Sequence, residues 1–335
     1  MGGRILAALL LILIVVLLYL LLWPVPIEPV AWQAPPNPGY TGPLAPNERL
    51  KGVEVFPIGD NHGPEAIALD AQGWIYAATH EGRIVRLQAD GSRPENWVET
   101  GGRPLGIRFD GKGNLIVADA FRGLLKIAPD GKITVLATTA DGKPVLYVND
   151  LDVAADGKIY FSDASTKFGA KQWGGSHGRL LVCDPDTGKA QTLLAGLNFA
   201  NGVAVSHDQT YVLVNETGSY RVLRYWISGP RRGQTEPLIE GLPGFPDNIS
   251  AGLDGRCWVA LISPRNKLVD GLSGRPFVRG HIIAIDGTGK VLANLQDPDG
   301  GYRLNTSVTE TKDYLYIGSL VMPSLGRLSK SKAGL

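Results

Sequence analysis

The stretch VNDLDVAADGKIYFSD, residues 148–163, decides the fold of this 335-residue chain. Polar and apolar residues alternate over 150–153, an Asp-Gly turn follows at 156–157, and a β-rich run returns over 158–163. Alternation with a period of two is typical of a strand with two different faces, and Asp-Gly favours a tight turn between strands. The stretch therefore predicts a β-hairpin.

The same unit recurs six times along the chain. Its turn and second strand are seen in DAQGWIYAAT from Asp70, DGKGNLIVAD from Asp110, ADGKIYFSD from Ala155, HDQTYVLVNE from His207, LDGRCWVAL from Leu253 and TKDYLYIGS from Thr311. The central residues of successive copies lie 40 to 58 residues apart. Repeats of about 40–50 residues that contain several strands are typical of propeller blades. The sequence therefore predicts an all-β, six-bladed β-propeller around a central channel.

The composition excludes several other classes of protein. With 33 basic and 32 acidic residues the net charge is +1, so no nucleic-acid partner is expected. Two cysteines are too few for a disulfide framework or a cysteine-rich zinc site. We expect Cys183 and Cys257 in the core, with a disulfide between them as the open alternative. No GxSxG elbow, P-loop or GxGxxG fingerprint precedes a helix.

The N-terminal residues predict a membrane anchor. Residues 5–23 are 19 consecutive uncharged residues, enough for a helix of about 28 Å. Arg4 precedes this run and the next basic residue is Arg49, which predicts a single-pass protein with a cytoplasmic N-terminus. A cleaved signal peptide and a buried core helix are the alternatives.

The chain is accordingly divided into an anchor at 1–23, a proline-rich linker at 24–46 and a propeller at 47–335. The eight prolines of the linker favour an extended spacer that holds the propeller away from the bilayer. The propeller would lie in the periplasm of a bacterium, or in the lumen or outside the cell in a eukaryote, since both give the same topology.

One position in each repeat predicts a metal site. We expect the innermost strands at 65–70, 105–110, 149–156, 201–208, 247–254 and 306–313. The residue two positions before the first apolar residue of each strand is equivalent in all blades, and propeller symmetry gathers these residues at the mouth of the channel. They are Glu65, Leu105, Asn149, Asn201, Asp247 and Thr306.

Four of these six residues offer a side-chain oxygen: Glu65, Asn149, Asn201 and Asp247. Two carboxylates with two amides suit Ca²⁺, whereas Mg²⁺ keeps more water and zinc would want His or Cys. The alternative is that Asn and Asp are ordinary turn formers in front of strands.

Catalysis near this metal would need a base. Asp247 is the first candidate, as a ligand that also activates water or attacks an ester carbonyl. His80 is the second candidate, as a proton shuttle, with a solvated loop histidine as the alternative. The second strands should end at the same mouth, which adds Asp119, Asp163 and Glu216 to a substrate pocket that also contains Leu105 and Thr306. The loops 166–178 and 263–280 are expected to set its selectivity.

Several segments resemble the strictosidine-synthase-like family, and the likeness covers almost all of the chain after residue 50. They include GPEAIALD at 63–70, VNDLDVAADGKIYFSDAS at 148–165, LNFANGVAVSHD at 197–208 and LPGFPDNIS at 242–250. The wider superfamily contains gluconolactonases, the senescence marker protein and paraoxonases, all of them six-bladed propellers. The resemblance implies that Glu65, Asn149, Asn201 and Asp247 hold Ca²⁺, as in the hydrolytic members, and it adds Asn248 as a further contact.

Two departures from the pattern of the superfamily bear on the reaction. Thr306 stands where strictosidine synthase carries its catalytic glutamate, and threonine cannot deprotonate an amine as a carboxylate does. Leu105 stands where paraoxonases carry a catalytic histidine. The sequence therefore predicts a membrane-anchored, calcium-dependent hydrolase of small lactones or aryl esters. A strictosidine-synthase-type lyase and a non-enzymatic binding propeller with structural calcium are the alternatives.

Overall fold

The computed structural model describes residues 2–22, 28, 30–167, 175–264 and 279–335. Helix α1 (Gly2–Leu22) comes first, and strand β1 (Glu54–Pro57) opens the propeller. Six four-stranded antiparallel sheets follow, and the innermost strands of neighbouring sheets contact one another in a closed ring. The structure therefore confirms the predicted six-bladed β-propeller.

The first five blades each use four consecutive strands, ordered from the inside outwards. Blade 1 contains β2 (Ile67–Leu69), β3 (Ile75–Ala78), β4 (Arg83–Leu87) and β5 (Glu95–Glu99), and blade 2 contains β6 (Pro104–Phe109), β7 (Leu115–Asp119), β8 (Gly123–Ile127) and β9 (Ile133–Ala137). A small hairpin of β10 (Thr139–Ala140) and β11 (Lys143–Pro144) precedes blade 3, which contains β12 (Val148–Val153), β13 (Ile159–Asp163), β14 (Gly178–Asp184) and β15 (Lys189–Leu197). Blade 4 contains β16 (Ala200–Val205), β17 (Tyr211–Glu216), β18 (Arg221–Trp226) and β19 (Thr235–Ile239), and blade 5 contains β20 (Gly244–Ala251), β21 (Cys257–Pro264), β22 (Gly280–Ile285) and β23 (Val291–Asp297).

Blade 6 joins the two ends of the propeller. It contains β24 (Asn305–Glu310), β25 (Tyr314–Ser319) and β26 (Ser324–Ser329), and its outermost strand is β1. Strand β1 pairs antiparallel with β26, with Phe56 opposite Leu325. Backbone hydrogen bonds between the beginning and the end of the domain thus close the ring of blades. Strand β1 supplies the fourth strand of the last blade.

The core lies between the blades rather than in one central mass. Six clusters of buried apolar side chains occupy the six interfaces between neighbouring blades. Ile116 and Phe161, for example, meet between blades 2 and 3, where Cys183 is also buried. Cys257 is buried between blades 4 and 5, and both cysteines are free. Because the two cysteines belong to different interfaces, they do not form the disulfide that was considered as an alternative.

A β-bulge lies near the start of the innermost strand in blades 2 to 6. In blade 2 the pairing moves from Pro104 opposite Asp119 to Ile107 opposite Val117, so two residues face one. The same shift occurs in the other four blades. The first bulged residues are Leu105, Asn149, Asn201, Asp247 and Thr306, five of the six positions found from the sequence. Strict alternation is interrupted there, but in the same way each time, so the five residues remain equivalent.

The described part of the linker packs against the propeller instead of acting only as a spacer. The ring of Trp32 stacks on that of Tyr220, with 6.1 Å between their centroids. Tyr40 contacts the ring of His281, and Leu44 is buried among residues of blades 4 and 5. Removing the apolar surface of these side chains from water is favourable, so this part of the linker is more stable against the propeller than in solvent.

Candidate functional site

A cavity of about 470 Å³ lies at the end of the channel where the innermost strands begin. Five of the six equivalent positions found from the sequence line it: Glu65, Leu105, Asn149, Asn201 and Asp247. The bulge that starts each strand of blades 2 to 5 is what places one such side chain per blade at this mouth. The structure thus brings the four proposed metal ligands into one cavity.

Oxygen atoms of this set lack hydrogen-bond partners. Oε2 of Glu65, Oδ1 of Asn149 and Oδ1 of Asn201 are buried without a partner among the residues that the structure describes. The amide nitrogen of Asn201 donates to Oδ1 of Asp247 at 2.6 Å, which leaves the amide oxygen of Asn201 as the free atom. An unsatisfied buried polar atom costs about 1–3 kcal/mol, and a bound cation would satisfy several of them at once.

The chemistry of the donors fits Ca²⁺. All four side chains offer oxygen, and two of them are carboxylates, as this hard cation prefers. Within the described ranges no group of three or more His, Cys, Asp or Glu side chains could hold a metal. The proposed site therefore depends on its two asparagines, and it lacks the nitrogen or sulfur ligands that zinc prefers.

Burial destabilises the charged forms of both carboxylates of the set. Burial raises the pKa of Glu65 to about 7, although the Arg103 guanidinium opposes the shift. Burial also raises the pKa of Asp247 well above its usual value, and the charge of Glu65 adds to this effect. Because a divalent cation would stabilise both ionised forms, the pair has the electrostatic character of a metal site.

A second layer of lining residues was missed by the sequence argument. Each lies two positions before an equivalent ring residue of blades 2 to 5: Arg103, Tyr147, Phe199 and Phe245. Counting back two further residues along each strand would have found them. Ile262 and Leu320 also line the cavity, from the ends of second strands, where the sequence argument had selected polar residues only. The walls are therefore mostly aromatic and apolar, with one arginine.

Three carboxylates assigned to the pocket from the sequence have a different role. Asp119 accepts a hydrogen bond from the backbone N–H of Arg103 at 2.9 Å, and Asp163 accepts one from that of Tyr147 at 2.9 Å. Glu216 accepts one from the backbone N–H of Asn198 at 2.8 Å. All three are buried, and none is among the residues that line the cavity. A buried carboxylate needs donors, and here they are backbone groups that enter each innermost strand, together with the guanidinium of Arg179 at Asp163 and that of Arg221 at Glu216.

The remaining candidates lie beside the cavity rather than in its lining. Thr306 is fully buried and donates to the backbone carbonyl of Glu65 at 2.6 Å. Asn248 is buried, and neither of its amide atoms has a described partner. His80 is exposed and stacks on His62, with 4.8 Å between the ring centroids, so its role as a proton shuttle stays a prediction. Of the loops expected to set selectivity, 168–174 and 265–278 lie outside the described residues.

Solved structures of other proteins share the fold of this chain. A gluconolactonase of Xanthomonas campestris superposes with a TM-score of 0.66 at 20% identity, covering 83% of this chain and 89% of its own. The calcium-binding protein regucalcin of Agrobacterium tumefaciens gives a TM-score of 0.62 at 16% identity, covering 82% and 93%. At these identities the likeness establishes the fold alone, that of a β-propeller.

The family follows from sequence comparison. The family model for strictosidine synthase matches residues 149–230, and that for the N-terminal part of strictosidine-synthase-like proteins matches 42–87. The adipocyte plasma membrane-associated protein of Rattus norvegicus is 33% identical over 92% of this chain and 94% of its own. Strictosidine synthase-like protein 10 of Arabidopsis thaliana is 36% identical over 85% and 92%. The chain therefore belongs to the strictosidine-synthase-like family, which confirms the resemblance seen in its sequence.

Proposed function

We propose that this protein is a membrane-anchored, calcium-dependent hydrolase of lactones or aryl esters. The observation that carries the proposal is the set of buried, unpartnered oxygens from Glu65, Asn149 and Asn201 beside the carboxylate of Asp247. The names of two propellers with this fold, a gluconolactonase and a calcium-binding protein, agree with it. Helix α1 has the length and the apolar composition of a membrane span, which supports the anchor.

The residues of the cavity would have different roles in such a reaction. Glu65, Asn149, Asn201 and Asp247 would hold Ca²⁺, which when bound supplies a Lewis acid for an ester carbonyl. Asp247 is the base of the proposal because its carboxylate lines the cavity beside the proposed metal, and the Asn201 amide fixes the orientation of that carboxylate. Phe199 and the other aromatic walls would exclude water and receive the apolar part of the substrate.

Hydrolysis is favoured over condensation of an amine with an aldehyde. The hydroxyl of Thr306 donates to the carbonyl of Glu65 at 2.6 Å, and the side chain is fully buried. A base for the condensation is therefore lacking at the position where strictosidine synthase has its glutamate.

The test uses the full-length protein in detergent with phenyl acetate and γ-butyrolactone as substrates. We expect turnover in Ca²⁺, loss of turnover in EDTA with the fold retained, and recovery when Ca²⁺ is restored. Asn149→Ala should weaken calcium binding at least tenfold by calorimetry, whereas the matched change Asn114→Ala, in a turn of blade 2, should not. Tight calcium binding without hydrolysis of any ester would favour a binding propeller, and product from tryptamine plus an aldehyde would favour the lyase.

A further inference from the structure

Arg103 carries a charge that the proposed hydrolase does not use. We propose that Arg103 anchors a carboxylate, so that the substrates are esters or lactones that bear a carboxylate group. This inference rests on the proposed function, since it names the substrate class of the same cavity. It follows from the position of the side chain, from its hydrogen bonding and from the charge of the lining.

The Arg103 side chain is held at the cavity with unused donors. Only 12% of its surface is exposed, and Nη1 is buried with no described hydrogen-bond partner. Nη2 lies 3.6 Å from Oε2 of Glu65, which is an ion pair but longer than a hydrogen bond. The backbone N–H of Arg103 is fixed by Asp119, so the side chain starts from a defined point. A guanidinium at a cavity with an unpaired N–H group can bind a hydrogen-bond acceptor.

The charge of the lining favours an anion. Among the described lining residues three are charged: Glu65, Asp247 and Arg103. A divalent cation would balance the two carboxylates and leave the guanidinium as the uncompensated charge among apolar walls. An uncompensated buried charge is costly, and one monoanion would remove that cost. A carboxylate fits best, because the planar guanidinium donates to it through two parallel N–H groups.

The same charges predict that calcium and carboxylate bind cooperatively. Without the metal, Oε2 of Glu65 lies 3.6 Å from Nη2 of Arg103 and competes with an incoming anion for the guanidinium. With the metal, Glu65 is engaged and Arg103 is free to pair with the ligand. By linkage, a carboxylate should then raise the affinity for calcium by the factor by which calcium raises the affinity for the carboxylate.

The experiment measures binding and specificity in the same variants. Calorimetry follows Ca²⁺ binding with and without benzoate, and kinetics compare phenyl acetate with 4-acetoxybenzoate, which differs by one carboxylate. We expect benzoate to tighten calcium binding at least tenfold, and kcat/KM to favour the anionic ester. Arg103→Gln should remove both effects, whereas Arg303→Gln, an exposed arginine outside the lining, should keep them.

The outcomes separate this inference from the proposed function. Calcium-dependent hydrolysis with no preference for the carboxylate, or the same preference in Arg103→Gln, overturns the inference and leaves the function intact. Benzoate binding that depends on Arg103, without any calcium binding, supports the anchor and overturns the calcium-dependent function. No benzoate binding in any condition overturns the carboxylate anchor.

A second, independent inference concerns the linker. We infer that the mouth of the cavity faces the lipid surface. Oε2 of Glu28 lies 2.6 Å from Nε2 of His177, which directly precedes β14 at the mouth end of blade 3. Trp32 stacks on Tyr220, and Tyr220 stacks on Phe245 of the cavity wall with 4.7 Å between ring centroids. The linker is therefore attached to the rim of the mouth.

Chain length then limits the distance between the mouth and the membrane. Helix α1 ends at Leu22, and Glu28 follows six residues later. Six residues span at most about 20 Å whatever path they take. If α1 crosses the bilayer, as the proposed function holds, the rim near Glu28 cannot lie farther than this from the membrane.

Exposed apolar side chains at the mouth also favour contact between this end of the propeller and the membrane. Phe121, in the turn between β7 and β8, is 66% exposed, and Val321, in the turn between β25 and β26, is 39% exposed. Both turns are at the end of the propeller where the cavity opens, because β7 and β25 run towards it. Such side chains favour the boundary between head groups and acyl chains.

The test compares two fluorescent labels in vesicles. A bimane probe is attached to Phe121→Cys at the mouth, or to Lys112→Cys in an exposed turn at the other end of the same blade. The native cysteines are buried, which favours selective labelling. In phosphatidylcholine vesicles with doxyl-labelled lipid, we expect quenching at position 121 several times that at position 112. Flotation with the vesicles and equal or reversed quenching would overturn this orientation and leave the anchor standing, whereas absence of flotation would overturn both.

Discussion

Gly202 offers a direct test of how the fold holds the proposed site. It is the second bulged residue of blade 4 and follows Asn201. A Cβ added there would lie 2.6 Å from the backbone oxygen of Asp247 and from the carbonyl carbon of Asn248, and closer still to the nitrogen of Ile249. These are backbone atoms of the innermost strand of blade 5, so no side-chain rotation relieves the contact, and the two strands must separate by roughly 1 Å.

The cost of Gly202→Ala can be estimated from these contacts. Overpacking against backbone costs about 1–3 kcal/mol, and stretching the 2.6 Å hydrogen bond between Asn201 and Asp247 adds about 1 kcal/mol. We therefore expect the free energy of unfolding to fall by about 2–4 kcal/mol and Tm to fall by roughly 5–15 °C. Calcium affinity should fall as well, because the separation lies between two of its proposed ligands.

Urea unfolding followed by tryptophan fluorescence measures the first effect, and calorimetry measures the second. The control is Gly111→Ala, since a Cβ at that position has no atom within 4 Å. It should change the free energy of unfolding by no more than about 0.5 kcal/mol. If Gly202→Ala unfolds at the same urea concentration as Gly111→Ala, the close approach of the two strands does not hold the site and the reasoning is refuted.

Three further predictions follow from the charged and titratable groups. Asp247→Asn should lower kcat about 100-fold or more in assays of phenyl acetate hydrolysis while some calcium binding remains by calorimetry; unchanged turnover would remove Asp247 from the mechanism. Burial lowers the pKa of His281 to about 4, so between pH 6.5 and 4 only the unfolded state binds the proton and the free energy of unfolding falls by up to about 3 kcal/mol as the pH drops. His281→Gln should remove that component in urea titrations at pH 7 and 4.5, and an unaltered pH dependence would contradict it. Asp119→Ala should lower the free energy of unfolding by at least about 3 kcal/mol, because three N–H groups, that of Arg103 among them, lose their acceptor; a loss below 1 kcal/mol in urea would show that water replaces the carboxylate.

The architecture and the equivalent positions could be predicted because they depend on local signals. A hairpin is specified by residues close in sequence, and six hairpins with the same pattern leave little choice but a propeller. Asn149 and Asn201 are equivalent in the structure because each directly follows the first paired residue of its innermost strand and is the first residue of a bulge. Because the blades are related by symmetry, a pattern found within each repeat predicted a site whose residues come from four blades.

The roles of individual polar side chains could not be predicted in this way. Asp163 occurs at the end of a second strand, as a pocket residue would, but it accepts backbone hydrogen bonds from Leu146 and Tyr147, seventeen and sixteen residues away. Whether a carboxylate faces a cavity or a backbone depends on which donors lie within about 3 Å, and this is a property of tertiary structure. Arg103 was missed for the related reason that the search stopped at one layer of the channel.

The bulges also separate the residues that would hold the proposed metal from those that would select the substrate. The second bulged residue faces the neighbouring blade: Oδ2 of Asp150 accepts the backbone N–H of Val203 at 3.0 Å, and a Cβ on Gly106 would lie 2.7 Å from the Cα of Asp150. The first bulged residue, such as Asn149, is thereby fixed at the mouth by contacts that also hold the blades together. A substitution at the second position should disturb metal binding and stability together. A substitution two residues before the first, as at Arg103, should change which substrates bind while the ring of oxygens stays in place.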